Sequence, residues 1–211
     1  MTGPELESEE LPTRERILRE ASRLFGKKGY HGTSTRKIAE AVDIRQPSLF
    51  HHFASKDAIM AELIDIDLDE AARVAQAQAS AGGSAALRLY RYLIWDISFI
   101  CRCAYDLSAV ESVLDDPAFS DKRARHQTLV DARRSLIEEA IDSGEFVKVD
   151  PEVAERAIAW ILRGDINDTA GQTIPDADVV ADQLASFVLR ALLSDPSQLD
   201  EIRSAAGEDF A

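Results

Sequence analysis

Three adjacent side chains, Gln46, Pro47 and Ser48, have the chemistry needed to read base edges in a DNA groove. A glutamine amide can pair with adenine, a proline ring offers an apolar face to a thymine methyl group, and a serine hydroxyl can bond a base or a phosphate. Phe50 and His51 follow at a spacing that predicts an outward position on the same helix. What these side chains do depends on the elements that carry them.

The surrounding segment has the pattern of a helix-turn-helix. Apolar residues at helical spacing predict short helices over about 34–42 and 46–53, preceded by a helix over 13–28 and followed by one from 56 to about 79. In a helix-turn-helix the second helix enters the major groove, where its first residues meet base edges. The pattern predicts a DNA-binding domain over 13–62, and an ordinary three-helix surface is the alternative.

The second of the two short helices has one apolar face. Leu49 and Phe53 are four residues apart, and we expect them to pack inward on Ile38 and Phe25. The base-reading candidates then point away from the core.

Charge is distributed unevenly along the 211 residues, whose net charge is −14. Residues 11–62 carry ten basic and six acidic side chains, whereas residues 63–211 carry 14 basic and 28 acidic ones. A basic segment followed by an acidic body indicates a small nucleic-acid-facing domain joined to a part with another task, although chance clustering on a solvated surface is the alternative.

The remaining chain is predicted to be helical, which gives an all-α fold of about nine helices. Strand signals are nearly absent, and Gly and Pro punctuate the helical stretches. We expect a second, helical domain over 63–194, a disordered acidic tail over 1–12 and a flexible tail over 195–211. Helices of the body are predicted at about 84–104, 107–114, 118–142, 151–170 and 176–193.

Four short motifs resemble the N-terminal domain of tetracycline-repressor (TetR) family regulators in order and spacing. They are Phe25-Gly26-Lys27-Lys28-Gly29-Tyr30, Thr33-Ser34-Thr35-Arg36-Lys37-Ile38-Ala39, Arg45-Gln46-Pro47-Ser48-Leu49-Phe50-His51-His52-Phe53 and Ser55-Lys56-Asp57. The resemblance covers about residues 13–62. It implies a three-helix DNA-binding domain followed by a helical ligand-binding and dimerisation domain.

The resemblance also implies roles for individual positions. Arg36 matches a position that reads guanine, and Gln46, Pro47 and Ser48 match the base-reading start of the recognition helix. Thr33, Ser34, His52 and Lys56 match positions that contact phosphates and set the register on DNA. The complete set of expected DNA contacts is Thr33, Ser34, Thr35, Arg36, Arg45, Gln46, Pro47, Ser48, Phe50, His51, His52 and Lys56.

Three positions depart from the family pattern. Phe50 stands where most members have tyrosine, so a hydroxyl that could reach DNA is missing. Asp43 stands where glycine is usual in the turn, and aspartate tolerates the left-handed conformation better than most residues. Arg45 replaces a common Ser or Thr cap and adds a charge that can attract phosphate.

The acidic body shows no motif of comparable sharpness. The resemblance implies a small-molecule effector and a homodimer formed by the last two long helices, 151–170 and 176–193, both of which carry broad apolar faces. Aromatic and polar side chains on helices are candidates for a hydrophobic or aromatic effector, although such stripes also occur in ordinary cores. The candidates are Trp95, Phe99, Arg102, Tyr105, His126, Trp160, Arg163 and Asn167, and Arg102 or Arg163 could hold a carboxylate.

Motifs of enzymes, cofactor sites and metal sites are missing from the sequence. There is no Walker loop, Gly-rich dinucleotide turn, HExxH or GxSxG, so we expect no enzyme, no cofactor and no metal. Cys101 and Cys103 diverge on a helix and are expected to be buried thiols rather than ligands. The chain starts without a signal peptide and has no ~18-residue apolar run, which predicts a cytoplasmic protein.

The sequence thus predicts a homodimeric repressor that a small effector releases from a palindromic operator on double-stranded DNA. The alternatives are an activator of the same family and, more remotely, a helical adaptor that does not bind DNA.

Overall fold

Helices make up most of the computed structural model, which describes residues 11–169, 174 and 176–207. Within this part of the chain there are two short 3-10 turns, over Pro117–Phe119 and Pro196–Gln198, and ten α-helices. The α-helices are α1 (Thr13–Lys28), α2 (Thr35–Ala41), α3 (Gln46–His52), α4 (Lys56–Ser80), α5 (Ala85–Arg102), α6 (Val110–Val113), α7 (Ser120–Asp142), α8 (Pro151–Thr169), α9 (Ala177–Leu192) and α10 (Leu199–Gly207). The all-α prediction is confirmed. The chain divides into two compact units, Met1–Asp67 with Ala104–Arg123, and Leu68–Cys103 with Ala124–Ala211.

The first unit is built around the apolar faces of α1, α2 and α3. Leu49 and Ile38 are fully buried, and Phe25 and Phe53 are 1% and 4% exposed. The inward face predicted for α3 is therefore confirmed, because all four predicted core residues are buried.

Local contacts fix the ends of the two short helices. The Ser34 hydroxyl accepts a hydrogen bond from the backbone N–H of Lys37 and caps α2. Asp43 has φ of +56°, the left-handed conformation that the turn between α2 and α3 requires. Arg45 precedes α3 without a side-chain cap, as its replacement of Ser or Thr predicts.

A segment distant in sequence completes the first unit. The backbone N–H of Asp106 donates to the hydroxyl of Ser22 on α1 over 3.0 Å, and the Phe119 ring meets the Tyr30 ring edge-on. The Asp106 carboxylate lies so close to Gly26 that a β-carbon there would stand 2.1 Å from Oδ2. The compact unit thus includes 104–123 in addition to the predicted domain over 13–62.

Packing of α5 along α9 forms the centre of the second unit. Leu89 and Leu93 of α5 are fully buried, and so are Ala181 and Ala185 of α9, whose small side chains let the helices approach closely. An isolated bridge between Phe146 and Leu193 ties the chain after α7 to the chain after α9.

The structure corrects two predictions about the ends of helices. The region over 195–211 was predicted to be flexible, but it contains a 3-10 turn and α10, because Leu199, Ile202 and Ala206 form a buried stripe that polar neighbours obscure in the sequence. The helix predicted over 107–114 is reduced to four residues in α6. Most of the acidic tail predicted over 1–12 lies outside the described residues.

Within the described residues, no helix combines the length and the apolar character that crossing a membrane requires.

Replacing Gly26 by alanine should destabilise the first unit. The new methyl group would collide with Asp106 Oδ2 and with Ser108 Oγ, which lies 2.8 Å from the β-carbon position. We expect a loss of about 1–3 kcal/mol in the free energy of unfolding, measured by urea denaturation. Gly82→Ala is the matched control, because nothing lies within 4 Å of its β-carbon position. Equal stabilities of the two variants would contradict the close packing of Asp106 on α1.

Candidate functional site

The outer face of α3 presents the predicted base-reading side chains. Pro47, His51 and His52 are exposed, and Phe50 is 45% exposed, which is unusual for a large apolar side chain of this unit. Gln46, which begins α3, is half-buried, as is Ser48. The helix therefore has a buried side that holds it in place and a solvent side that can enter a groove.

The first residues of α2 and α3 lie next to each other. The Gln46 amide donates from Nε2 to the Thr35 hydroxyl over 2.9 Å. The adjacent Arg36 side chain is 75% exposed, and its Nε lies 3.5 Å from the Glu40 carboxylate one turn further along α2. The arrangement brings an amide and a guanidinium, the two groups that pair with adenine and guanine, to one surface. Ser34 and Arg45 are exposed beside them.

The prediction that Thr33 contacts phosphate is wrong for its side chain. Thr33 is only 2% exposed, and its hydroxyl donates to the backbone carbonyls of Leu24 and Gly29 at 3.1 and 3.0 Å. These two hydrogen bonds connect Thr33, in the turn before α2, to the C-terminal end of α1 and the residue after it. A buried hydroxyl with such partners is a structural group, and sequence spacing alone does not reveal it.

Lys56 holds the turn between α1 and α2 in the structure. Its ammonium group donates to the carbonyls of Tyr30 and Thr33 over 2.8 and 3.1 Å and lies 4.0 Å from the centre of the Tyr30 ring. Two of its three hydrogens are thereby engaged within the protein. A phosphate contact by Lys56 stays a prediction, and it would use the remaining hydrogen.

Tyr30 contacts both α1 and α4, a role that its position in the sequence did not predict. Its hydroxyl donates to Asp57 at the start of α4, and its ring packs on Phe25 with centroids 5.4 Å apart. Burial, together with the hydrogen bond to Asp57, raises the pKa of the Tyr30 hydroxyl, which therefore stays protonated. Tyr30 joins α1 to α4 and so supports the base of the helix-turn-helix.

In the second unit the structure brings only part of the predicted effector set together. Trp95 and Phe99 of α5 stack with ring centroids 5.3 Å apart and an interplanar angle of 15°, and both are half-buried. Arg102 is exposed and pairs with Asp178, whose pKa this hydrogen bond lowers. The Arg102 guanidinium is therefore already matched to a carboxylate of the protein.

The remaining predicted effector residues lie on other segments of the chain. Tyr105 belongs to the first unit, and Trp160 is 63% exposed on α8, so the structure does not place Trp160 in a buried pocket. His126 is half-buried on α7. The side chains of Arg163 and Asn167 lie outside the described residues.

A buried polar cluster in the second unit was missed by the sequence analysis. Arg133 of α7 donates to Glu155 of α8 over 2.6 Å and to the Tyr92 hydroxyl of α5 over 3.4 Å, and the side chains of Arg133 and Glu155 are each 8% exposed. Asp96 of α5 is buried and interacts with the charge of Arg133. The charges of Arg133 and Glu155 also act on the pKa of His126. We call these five residues the Arg133 cluster.

Burial governs the protonation of the Arg133 cluster. It raises the pKa of Asp96 to about 6, although the charge of Arg133 and the Tyr92 hydroxyl act in the opposite direction. Burial and the charge of Arg133 both lower the pKa of His126. Charged residues on amphipathic helices usually face water, so the residue pattern carries no signal for a buried cluster of this kind.

Among the described residues, no group of three or more His, Cys, Asp or Glu side chains could hold a metal ion. Cys101 is buried and Cys103 is half-buried.

Comparison with known proteins agrees with this geometry. Residues 17–63 match the family model "Bacterial regulatory proteins, tetR family". The chain is 28% identical over 160 residues to the HTH-type transcriptional repressor AcnR of Corynebacterium glutamicum, an alignment that covers 75% of this chain and 82% of AcnR. The solved structure of AmtR from Mycobacterium smegmatis is 31% identical, covers 95% of both chains and has a TM-score of 0.79. AibR, solved in complex with isovaleryl coenzyme A and operator DNA, is 20% identical over 88% of this chain and 99% of that chain, with a TM-score of 0.63, which shows a shared fold.

The helix-turn-helix and the helical second unit define a bacterial-type DNA-binding transcription regulator. The chain belongs to the TetR family.

The raised pKa of Asp96 makes stability depend on pH. Between its ordinary value of 3.8 and about 6, the folded protein holds a proton that the unfolded chain releases, so stability falls as pH rises through this window. We expect Asp96→Asn to be more stable than the wild type at pH 7.5 by up to about 3 kcal/mol, and the difference to vanish near pH 4. Urea denaturation at several pH values measures this.

Asp178→Asn is the matched control, because the pKa of Asp178 is lowered instead. Its replacement should cost stability at pH 7.5 and nothing at low pH. An Asp96→Asn variant that is less stable than the wild type at pH 7.5 would show that the ionised carboxylate is a net stabilising partner of Arg133.

Proposed function

We propose that this chain is a ligand-responsive repressor that binds operator DNA as a homodimer. The observation that carries the proposal is the contact between the first residues of α2 and α3, where the Gln46 amide meets Thr35, and the residues that follow them, Arg36 and Pro47, are exposed. The TetR family membership and the name of AcnR as a transcriptional repressor support the repressing mode.

In this proposal, base reading and phosphate binding fall to different residues. Arg36 reads guanine, Gln46 reads adenine, and Pro47 and Ser48 contact neighbouring bases. Phosphate contacts from the exposed Ser34, Arg45, His51 and His52, and from Lys56, position the domain on the duplex. The net negative charge of residues 63–211 opposes non-specific adhesion to DNA, so attraction is confined to the N-terminal surface.

Apolar side chains left exposed on α8 and α9 support the dimer. Val153, Ala157 and Trp160 follow one stripe of α8 at i, i+4 and i+7, and all three are exposed. Phe187 of α9 is 63% exposed, and the half-buried Val180 and Leu184 complete a matching stripe. A second copy related by a two-fold axis would cover both stripes.

The dimer would place two recognition helices about one turn of DNA apart, ~34–36 Å, on an inverted repeat. The stacked Trp95–Phe99 pair favours an apolar or aromatic effector, because aromatic surfaces supply most of the contact area in small-molecule sites. That AibR has been solved with both an acyl-coenzyme A and DNA is compatible with such a scheme. An activator of the same family remains the second candidate, since repression depends on where the operator lies.

Selection of bound sequences from a random DNA pool tests the proposal. We expect the full-length protein to enrich an inverted repeat at about 150 mM salt, where phosphate contacts alone do not dominate binding. The enriched repeat then serves as the probe for effectors that release it. Absence of enrichment would contradict the proposal, provided the protein is folded and dimeric and mass spectrometry of the denatured sample finds no co-purified small molecule.

The dimer has a test of its own. The double substitution Trp160→Ser, Phe187→Ser should give a monomer at micromolar concentration in sedimentation-velocity experiments, because it removes the two largest exposed apolar side chains of the stripes. Phe50→Ser is the matched control, since it removes an exposed aromatic ring from α3. If both variants sediment as the wild type does, the α8–α9 interface is wrong.

A further inference from the structure

We propose that Thr35 is a positioning residue that orients the Gln46 amide and thereby sets a requirement for adenine at one operator position. This inference rests on the proposed function and extends it, because it assigns a base preference to a contact within the protein. Thr35 was expected from the sequence to touch DNA itself.

The geometry shows a specific link between the two helices. The Gln46 Nε2 group donates to Thr35 Oγ1 over 2.9 Å, and both residues are half-buried at the first position of their helices. The capping of α2 is already performed by Ser34, whose hydroxyl accepts from the Lys37 N–H. The Thr35 hydroxyl is therefore not needed for the cap and can serve Gln46.

The backbone around this link fixes the distance between the two helix starts. The Ile44 N–H donates to the Ala39 carbonyl over 3.0 Å, and Arg16 of α1 donates to the Val42 carbonyl over 2.6 Å. Leu49 anchors α3 from the buried side. Thr35 and Gln46 are thus held in register by contacts that do not depend on DNA.

Orientation of the amide decides which base it can read. When one Nε2 hydrogen donates to Thr35, the second hydrogen and the Oε1 atom of Gln46 are available as a donor–acceptor pair. Adenine presents an acceptor at N7 beside a donor at N6, which matches this pair, whereas guanine presents two acceptors, N7 and O6. An amide fixed by Thr35 also loses less side-chain entropy on binding than a mobile one.

The experiment first locates the base that Gln46 reads. Selection from the random pool is repeated with Gln46→Ala, and the position whose adenine preference disappears is assigned to Gln46. On that operator, replacing this adenine by 7-deaza-adenine, which lacks the N7 acceptor, should weaken wild-type binding about tenfold and leave Gln46→Ala unchanged.

Two substitutions then test Thr35. Thr35→Val keeps the shape and removes the hydroxyl, so the adenine preference at the assigned position should fall about three- to tenfold. Preference at the remaining positions, including the guanine assigned to Arg36, should stay. Thr35→Ser retains the hydroxyl and should retain the adenine preference. Thermal unfolding of all variants shows whether they fold as the wild type does.

A double substitution separates positioning from direct contact. If Thr35 acts through Gln46, Thr35→Val has no further effect on binding in the Gln46→Ala background. If Thr35→Val instead weakens binding by the same factor whichever base occupies the assigned position, and does so in the Gln46→Ala background as well, Thr35 binds phosphate and the proposal is overturned. An enriched inverted repeat whose preferences Gln46→Ala does not change overturns it as well and leaves the DNA-binding function standing. If the folded, dimeric wild type without a co-purified small molecule enriches no sequence, both proposals fall.

Discussion

Burial of one side of α3 is the constraint on which the DNA-facing surface depends. Leu49 and Phe53 are buried in the core that includes Phe25 and Ile38, and a seven-residue helix depends on such packing for its stability and orientation. Because side chains rotate by about 100° per residue along a helix, fixing Leu49 also fixes the directions of Gln46, Pro47 and Phe50. A rotation of α3 that exposed Leu49 would lose about 1.5–3 kcal/mol from that side chain alone.

The support beneath α3 comes from contacts that span the first unit. Arg16 donates to the carbonyl of Val42, the residue that follows α2. Thr33 closes the turn after α1, and Lys56 joins that turn to the start of α4. Each uses a charged or polar group to satisfy backbone carbonyls that would otherwise lose their partners at the ends of short elements. Two residues expected to bind DNA phosphates, Thr33 and Lys56, thus have structural roles, whereas most of the other expected DNA contacts are exposed.

Local patterns were sufficient for the helices and insufficient for the contacts between distant segments. The bounds of α1 to α5 follow from apolar spacing, from the caps Ser34 and Ser55 and from the punctuation by Gly and Pro, all of which act within a few residues. The inclusion of 104–123 in the first unit depends on the meeting of Asp106 with Ser22 and Gly26, about eighty residues apart, and no local pattern encodes that meeting. The Arg133 cluster was missed for the same reason, because its charges become partners only when α5, α7 and α8 pack together.

In the proposed function, release of DNA by an effector sets a quantitative demand on the second unit. To convert a population that is 99% competent for DNA binding into one that is 99% incompetent, the effector must favour one state by about 5.5 kcal/mol. At about 25 cal/mol per Å², this corresponds to about 220 Å² of apolar surface buried in one state and not in the other. Such an area is close to that of one aromatic side chain, about 150–250 Å². An effector that stacks on Trp95 and Phe99 in only one state would therefore supply a driving force of the required size, and linkage requires that operator DNA weaken its binding by the same factor.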